Sequence, residues 1–106
     1  MRFMNDFDIN RARRMYADHP VLGPAAKTLD NLREWADWNS DGWAYWPKPA
    51  RAAARLMELI ERDGTNRYYG GPREDATPAA YRQALAPIKA FRTRQGADFE
   101  IVEVPK

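Results

Sequence analysis

Apolar residues recur at helical spacing through most of the chain. Ile9, Ala12 and Tyr16 share one face and Arg11, Arg14 and Asp18 another, which predicts a helix from about residue 9 to 18, capped by Asp8 and ended at His19-Pro20. Pro24 suits a first helical position, and Ala25, Leu29, Leu32, Trp35 and Ala36 then form the buried stripe of a second helix reaching about Trp38. Asp30, Arg33, Glu34 and Asp37 are expected to face water, with Trp38 on the flank of the stripe. Pro49 opens a third helix to about Arg62, with Ala52, Ala53, Leu56, Leu59 and Ile60 inside and Arg51, Arg55, Glu58 and Arg62 outside. The Glu58 to Arg62 spacing favours an ion pair, and Asp63-Gly64 closes the helix. A fourth helix starts at the Thr77-Pro78 cap, buries Tyr81, Leu85, Ile88 and Phe91, and ends at Gly96. Pro87 has no N–H to give the Gln83 carbonyl, so it should kink or divide that helix.

The period changes at the end of the chain. Residues 98–104 are rich in β-formers, with Phe99 and Ile101 on one face and Val102 and Val104 on the other, and predict a strand. A lone strand leaves its amides unpaired, so it must pair with residues 67–69, with residues 2–4, or with its counterpart in a second chain to make a homodimer. The expected fold is mainly α: one domain over residues 1–106, about four helices and a short C-terminal β-strand in a two-stranded pairing.

Composition removes several kinds of chemistry. The chain has no cysteine, which excludes disulfides, thiol nucleophiles and cysteine-ligated zinc and agrees with a reducing compartment. No signal-peptide pattern opens it and no window reaches the ~18 apolar residues of a membrane span, so a soluble cytoplasmic protein with no membrane role is expected. The net charge is +2, with 13 arginines to 4 lysines, a bias that codon usage in a GC-rich genome also produces.

No catalytic constellation emerges. His19 is the one histidine, and a metal site would need it together with carboxylates from distant segments. Ser40 is the one serine and lacks a nucleophile-elbow setting. Glu58 with Glu61, and Asp37 with Asp41, lie on polar faces or turns beside arginines, where solvation explains them. Gly70-Gly71 lacks the flanking residues of a phosphate loop. The expectation is a protein that is not an enzyme, with no catalytic, cofactor-binding or metal-ligating residues.

Two features remain. All four tryptophans fall within residues 35–46, around the turn chemistry of Asn39-Ser40-Asp41-Gly42. Trp35 is expected in the core; Trp38, Trp43, Tyr45 and Trp46, with Arg51 and Arg55 beside them, form a candidate face for an unidentified protein partner, since Trp, Tyr and Arg dominate interface hot spots. Residues 76–97 carry Arg82, Lys89, Arg92 and Arg94 and no acidic residue, which makes nucleic-acid binding by the fourth helix the alternative. The leading expectation is a small regulatory or accessory protein working by protein–protein interaction; a self-associating structural subunit, built through the C-terminal strand, is the third option.

Overall fold

The computed structural model describes residues 6–39, 46–64 and 77–105. They form four helices: α1 (Asp6–Met15), α2 (Leu22–Asn39), α3 (Pro47–Gly64) and α4 (Pro78–Gln95). α2 packs between α1 and α3, and α3 packs in turn on α4. The apolar stripes read from spacing meet in one core, which holds Ile9 and Ala12 of α1, Leu29 and Leu32 of α2, Leu56 and Ile60 of α3, and Tyr81, Leu85, Ile88 and Phe91 of α4.

The joints are set by caps and close approaches. His19 opens α2 rather than merely ending α1: its carbonyl accepts the Gly23 N–H at 3.0 Å, and its Nδ1 accepts the Val21 and Leu22 N–H groups at 3.1 and 3.0 Å. That is the N-cap arrangement, with Pro20 at the first position, where a missing N–H costs nothing. The helix therefore begins before Pro24, contrary to the sequence expectation. Gly23 is required for packing. A Cβ there would meet the carbonyl oxygens of Tyr16 and Ala17 at 2.7 and 2.9 Å. α3 likewise starts ahead of Pro49, because the Trp46 carbonyl accepts the Ala50 N–H at 2.9 Å and both prolines lie in the first turn.

α4 runs through Pro87 as one helix. Gln83 and Pro87 both lie on the exposed side, where water can take the carbonyl that Pro87 leaves without a donor. Thr77 holds the N-cap position with no side-chain bond, and Gly96 ends the helix in the left-handed region at φ 61°. Its N–H reaches the Thr93 carbonyl while the Ala97 N–H reaches that of Arg92, the Schellman pattern.

Two sequence expectations are corrected here. Asp30, assigned to water, is buried at 1% exposure. Arg13 of α1 and Arg33 clasp its two carboxylate oxygens at 2.5 and 2.9 Å, which stabilises a charge the core would otherwise reject. The second correction concerns residues 97–105: they run along the bundle but form no strand, and no strand occurs among the described residues. Helix side chains take the place of a neighbouring strand. Thr28 Oγ1 accepts the Val102 N–H at 2.8 Å and donates to its carbonyl at 3.3 Å, Asn31 Nδ2 donates to the Glu100 carbonyl at 3.1 Å, and Arg92 Nε donates to that of Phe99. Phe99 and Val104 are buried in the core by this docking. Residues 2–4 and 67–69, the intramolecular partners considered from sequence, lie outside the described residues. No helix among the described residues is long and apolar enough to cross a membrane.

Candidate functional site: an aromatic cluster with two hollows

The end of α2, the start of α3, the last turn of α4 and the C-terminal segment bring four rings together. Trp35 lies 5.0 Å from Trp46, 5.6 Å from Phe91 and 6.0 Å from Phe99, centroid to centroid. Trp46 lies 5.6 Å from Phe91, nearly edge to face. Such contacts add about 0.5–1.5 kcal/mol per pair beyond the burial itself. Trp35 thus joins the core periphery, as expected, and Trp46 packs there with it. The Trp46 assignment follows from its place as N-cap of α3, which turns the ring back onto α4.

Trp38 is different. It is 88% exposed, the most open large apolar side chain among the described residues. It lies three residues after Trp35, one turn further toward the end of α2. Beside it is a hollow of about 370 Å³ lined by Asn31, Glu34, Trp35, Trp38, Asn39, Asp98, Phe99 and Glu100. Three carboxylates thus surround aromatic walls. Glu34 has an ion-pair contact at 3.6 Å with Arg33, which also contacts Asp30 and, at 3.0 Å, Asp37. Asp98 and Glu100 have no cationic partner among the described residues.

A second hollow, of about 250 Å³, lies against two other rings of the cluster. Trp46, Phe91, Pro47 and Pro49 give it an apolar lining, and Lys48, Arg94 and Gln95 complete it. The two hollows are lined by different rings of the cluster and carry opposite charge.

The other candidates fall as follows. Trp43 and Tyr45 lie outside the described residues, as does the turn at 40–42. Arg51 and Arg55 are exposed on the outer stripe of α3 and line neither hollow. Of the fourth-helix cations, Arg82 donates to the Pro105 carbonyl at 3.1 Å, Lys89 pairs with Glu103 at 2.8 Å, and Arg92 holds the Phe99 carbonyl with its guanidinium 6.0 Å from the Phe99 ring centre. Arg94 is exposed at the end of the helix and lines the second hollow. The C-terminal segment therefore engages three of the four cations that the sequence presented. Sequence reading missed Asn31, Glu34, Asp98, Phe99 and Glu100 as lining residues; the one available signal was the alternation of acidic and apolar residues at 98–101.

Two tyrosines have perturbed chemistry away from this site. Tyr81 is fully buried, with its hydroxyl 2.7 Å from Asp63 Oδ2 and 2.8 Å from the Leu59 carbonyl. Burial first, then the hydrogen bond to Asp63 and that group's charge, push the phenol far above the ordinary tyrosine range. Burial also raises Tyr16, opposed by Arg11 and assisted by Glu61, and its hydroxyl donates to the Gly64 carbonyl at 3.1 Å. Both phenols stay protonated at neutral pH and tie helices together. Arg62 reaches Asp63 with both Nε and Nη2, at 3.0 and 3.2 Å. Among the described residues, no group of three His, Asp or Glu side chains is gathered as a metal site requires.

The chain matches no protein-family model, no curated protein and no solved structure, so these residues alone carry the functional reading.

Proposed function

We propose that the protein is a small cytoplasmic accessory or regulatory protein, not an enzyme, that binds another protein through the aromatic corner where α2, α3 and α4 meet. One observation carries this reading: Trp38 stands 88% exposed at the rim of a hollow walled by Trp35 and Phe99. Leaving an indole in water forfeits roughly 2 kcal/mol or more of burial free energy, and an exposed tryptophan is the kind of residue that a partner desolvates. The scaffold suits the task. Trp38 projects from a helix whose neighbouring turns are fixed by the Asp30 cluster and by Asn39 Nδ2 bonded to the Trp35 carbonyl at 2.8 Å.

Nucleic-acid binding by α4 draws less support. Arg82, Lys89 and Arg92 already hold the C-terminal segment, and the hollow beside Trp38 carries carboxylates that repel phosphate. Self-association through a C-terminal strand also loses its motive, since Thr28, Asn31 and Arg92 bond the backbone groups of that segment.

The test is quantitative affinity capture from host lysate with wild type and Trp38→Ala. Trp38 is exposed, so the variant should fold as the wild type does and lose the captured protein. Retention of the same partner at the same level would remove the reading.

A further inference from the structure

The hollow beside Trp38 has a distinctive inventory of polar groups. Its charged side chains, Glu34, Asp98 and Glu100, are all acidic. Each of its two amides has committed one N–H: Asn31 Nδ2 donates to the Glu100 carbonyl at 3.1 Å and Asn39 Nδ2 to that of Trp35 at 2.8 Å. Their oxygens add acceptors to the carboxylates, and one N–H of each amide is left over. Carboxylates, amide oxygens and the open ring of Trp38, with half-buried Trp35 beside it, make a surface rich in acceptors with an exposed indole face. Its complement is a flat, apolar-faced cation that bears many donors.

Resting on the protein-binding reading above, we propose that this hollow receives an arginine side chain from the partner. A guanidinium stacks on an indole face, is weakly hydrated, and presents a fork of N–H donors that suits carboxylates. Lysine has the charge but neither the plane nor the fork. An acidic or phosphorylated segment meets three like charges there. The neighbouring cations leave two of its carboxylates unpaired: Arg33 touches Glu34 at 3.6 Å but bonds Asp30 and Asp37, and Arg92 bonds the Phe99 carbonyl. Asp98 and Glu100 remain exposed without a cation among the described residues.

The experiment titrates the full chain, followed through its indole N–H signals, with acetylated and amidated Gly-Gly-Arg-Gly-Gly and with the same peptide carrying lysine or glutamate at the centre. The arginine peptide should shift the Trp38 and Trp35 indole signals saturably and bind more weakly as salt is raised. The lysine peptide should bind several-fold more weakly and the glutamate peptide not at all. Asp98→Asn with Glu100→Gln should weaken arginine binding about tenfold, and Trp38→Ala, followed at the Trp35 indole, by a similar factor. Unmoved indoles with the arginine peptide, equal shifts with glutamate, or binding indifferent to Asp98→Asn/Glu100→Gln would each overturn the assignment. If Trp38→Ala abolishes partner capture while no arginine peptide binds, the arginine assignment falls and the protein-binding reading stands.

Discussion

Thr28 anchors the C-terminal segment to the bundle, and replacing it with valine tests that role with almost no change of shape. The side chain is fully buried, and its hydroxyl makes both bonds to Val102, accepting the N–H at 2.8 Å and donating to the carbonyl at 3.3 Å. Valine removes both at once. A net hydrogen bond contributes about 1 kcal/mol, and a buried group left unpaired costs about 1–3 kcal/mol. Val102 is only half-buried, so water can partly compensate, and the expected loss is about 2 kcal/mol. For a domain of this size that corresponds to a fall in Tm of about 8 °C. Thermal and urea unfolding of wild type, Thr28→Val and Thr28→Ser should place the serine variant between the other two. Amide exchange gives the local test, because the Val102 N–H should lose its protection in the valine variant. A valine variant that melts with the wild type and keeps Val102 protected would refute the idea that helix side chains satisfy this segment.

Three further outcomes follow from the packing. Gly23→Ala should destabilise by about 1–3 kcal/mol in urea unfolding, although alanine normally favours a helix by ~1 kcal/mol, because its Cβ meets the Tyr16 and Ala17 carbonyl oxygens; a stabilised variant would contradict the close approach. Asp30→Asn should cost about 2 kcal/mol, below the usual 3–5 for breaking a buried pair because both arginines retain some access to water; unchanged stability would show that the clasp on Asp30 is dispensable. Tyr81 sets an alkaline limit. The folded state holds this proton more tightly than the unfolded chain, so its contribution is complete below the unfolded pKa of about 10 and declines as pH rises above it. Phenolate absorbance from Tyr81, obtained by difference from Tyr81→Phe, should therefore appear together with unfolding, and its appearance in the folded protein would contradict the burial.

The helical stripes were legible because burial in a bundle follows the helical period, and Leu29, Leu56, Ile60, Tyr81, Leu85 and Ile88 are buried as their spacing implies. What escaped depends on groups far apart in sequence. Asp30 reads as a surface residue until Arg13, 17 positions earlier, is brought beside it. Residues 98–104 have the β-branched and aromatic content of a strand, but the partner of Val102 is Thr28, 74 positions away, and a side chain rather than a backbone. His19-Pro20 reads as a stop because a proline cannot continue the preceding helix, yet the same pair opens the next one, with Nδ1 accepting two N–H groups as an Asp or Ser cap would. The aromatic corner is visible as a cluster of tryptophans, and Trp35, which its place on the stripe sends to the core, packs half-buried against it. The acidic character of the hollow was not visible, because Glu34 and the Asp98–Glu100 segment meet only when the C-terminal segment lies along α2.

The central claim is that Trp38 is a binding residue rather than a structural one. It is tested most directly by quantitative capture from lysate with wild type and Trp38→Ala, with urea unfolding of both proteins in parallel. Unfolding midpoints that agree within error and a partner that disappears from the variant are expected. A partner retained at full level by a normally folded Trp38→Ala, or a variant that unfolds far more easily than its 88% exposed side chain allows, would contradict it.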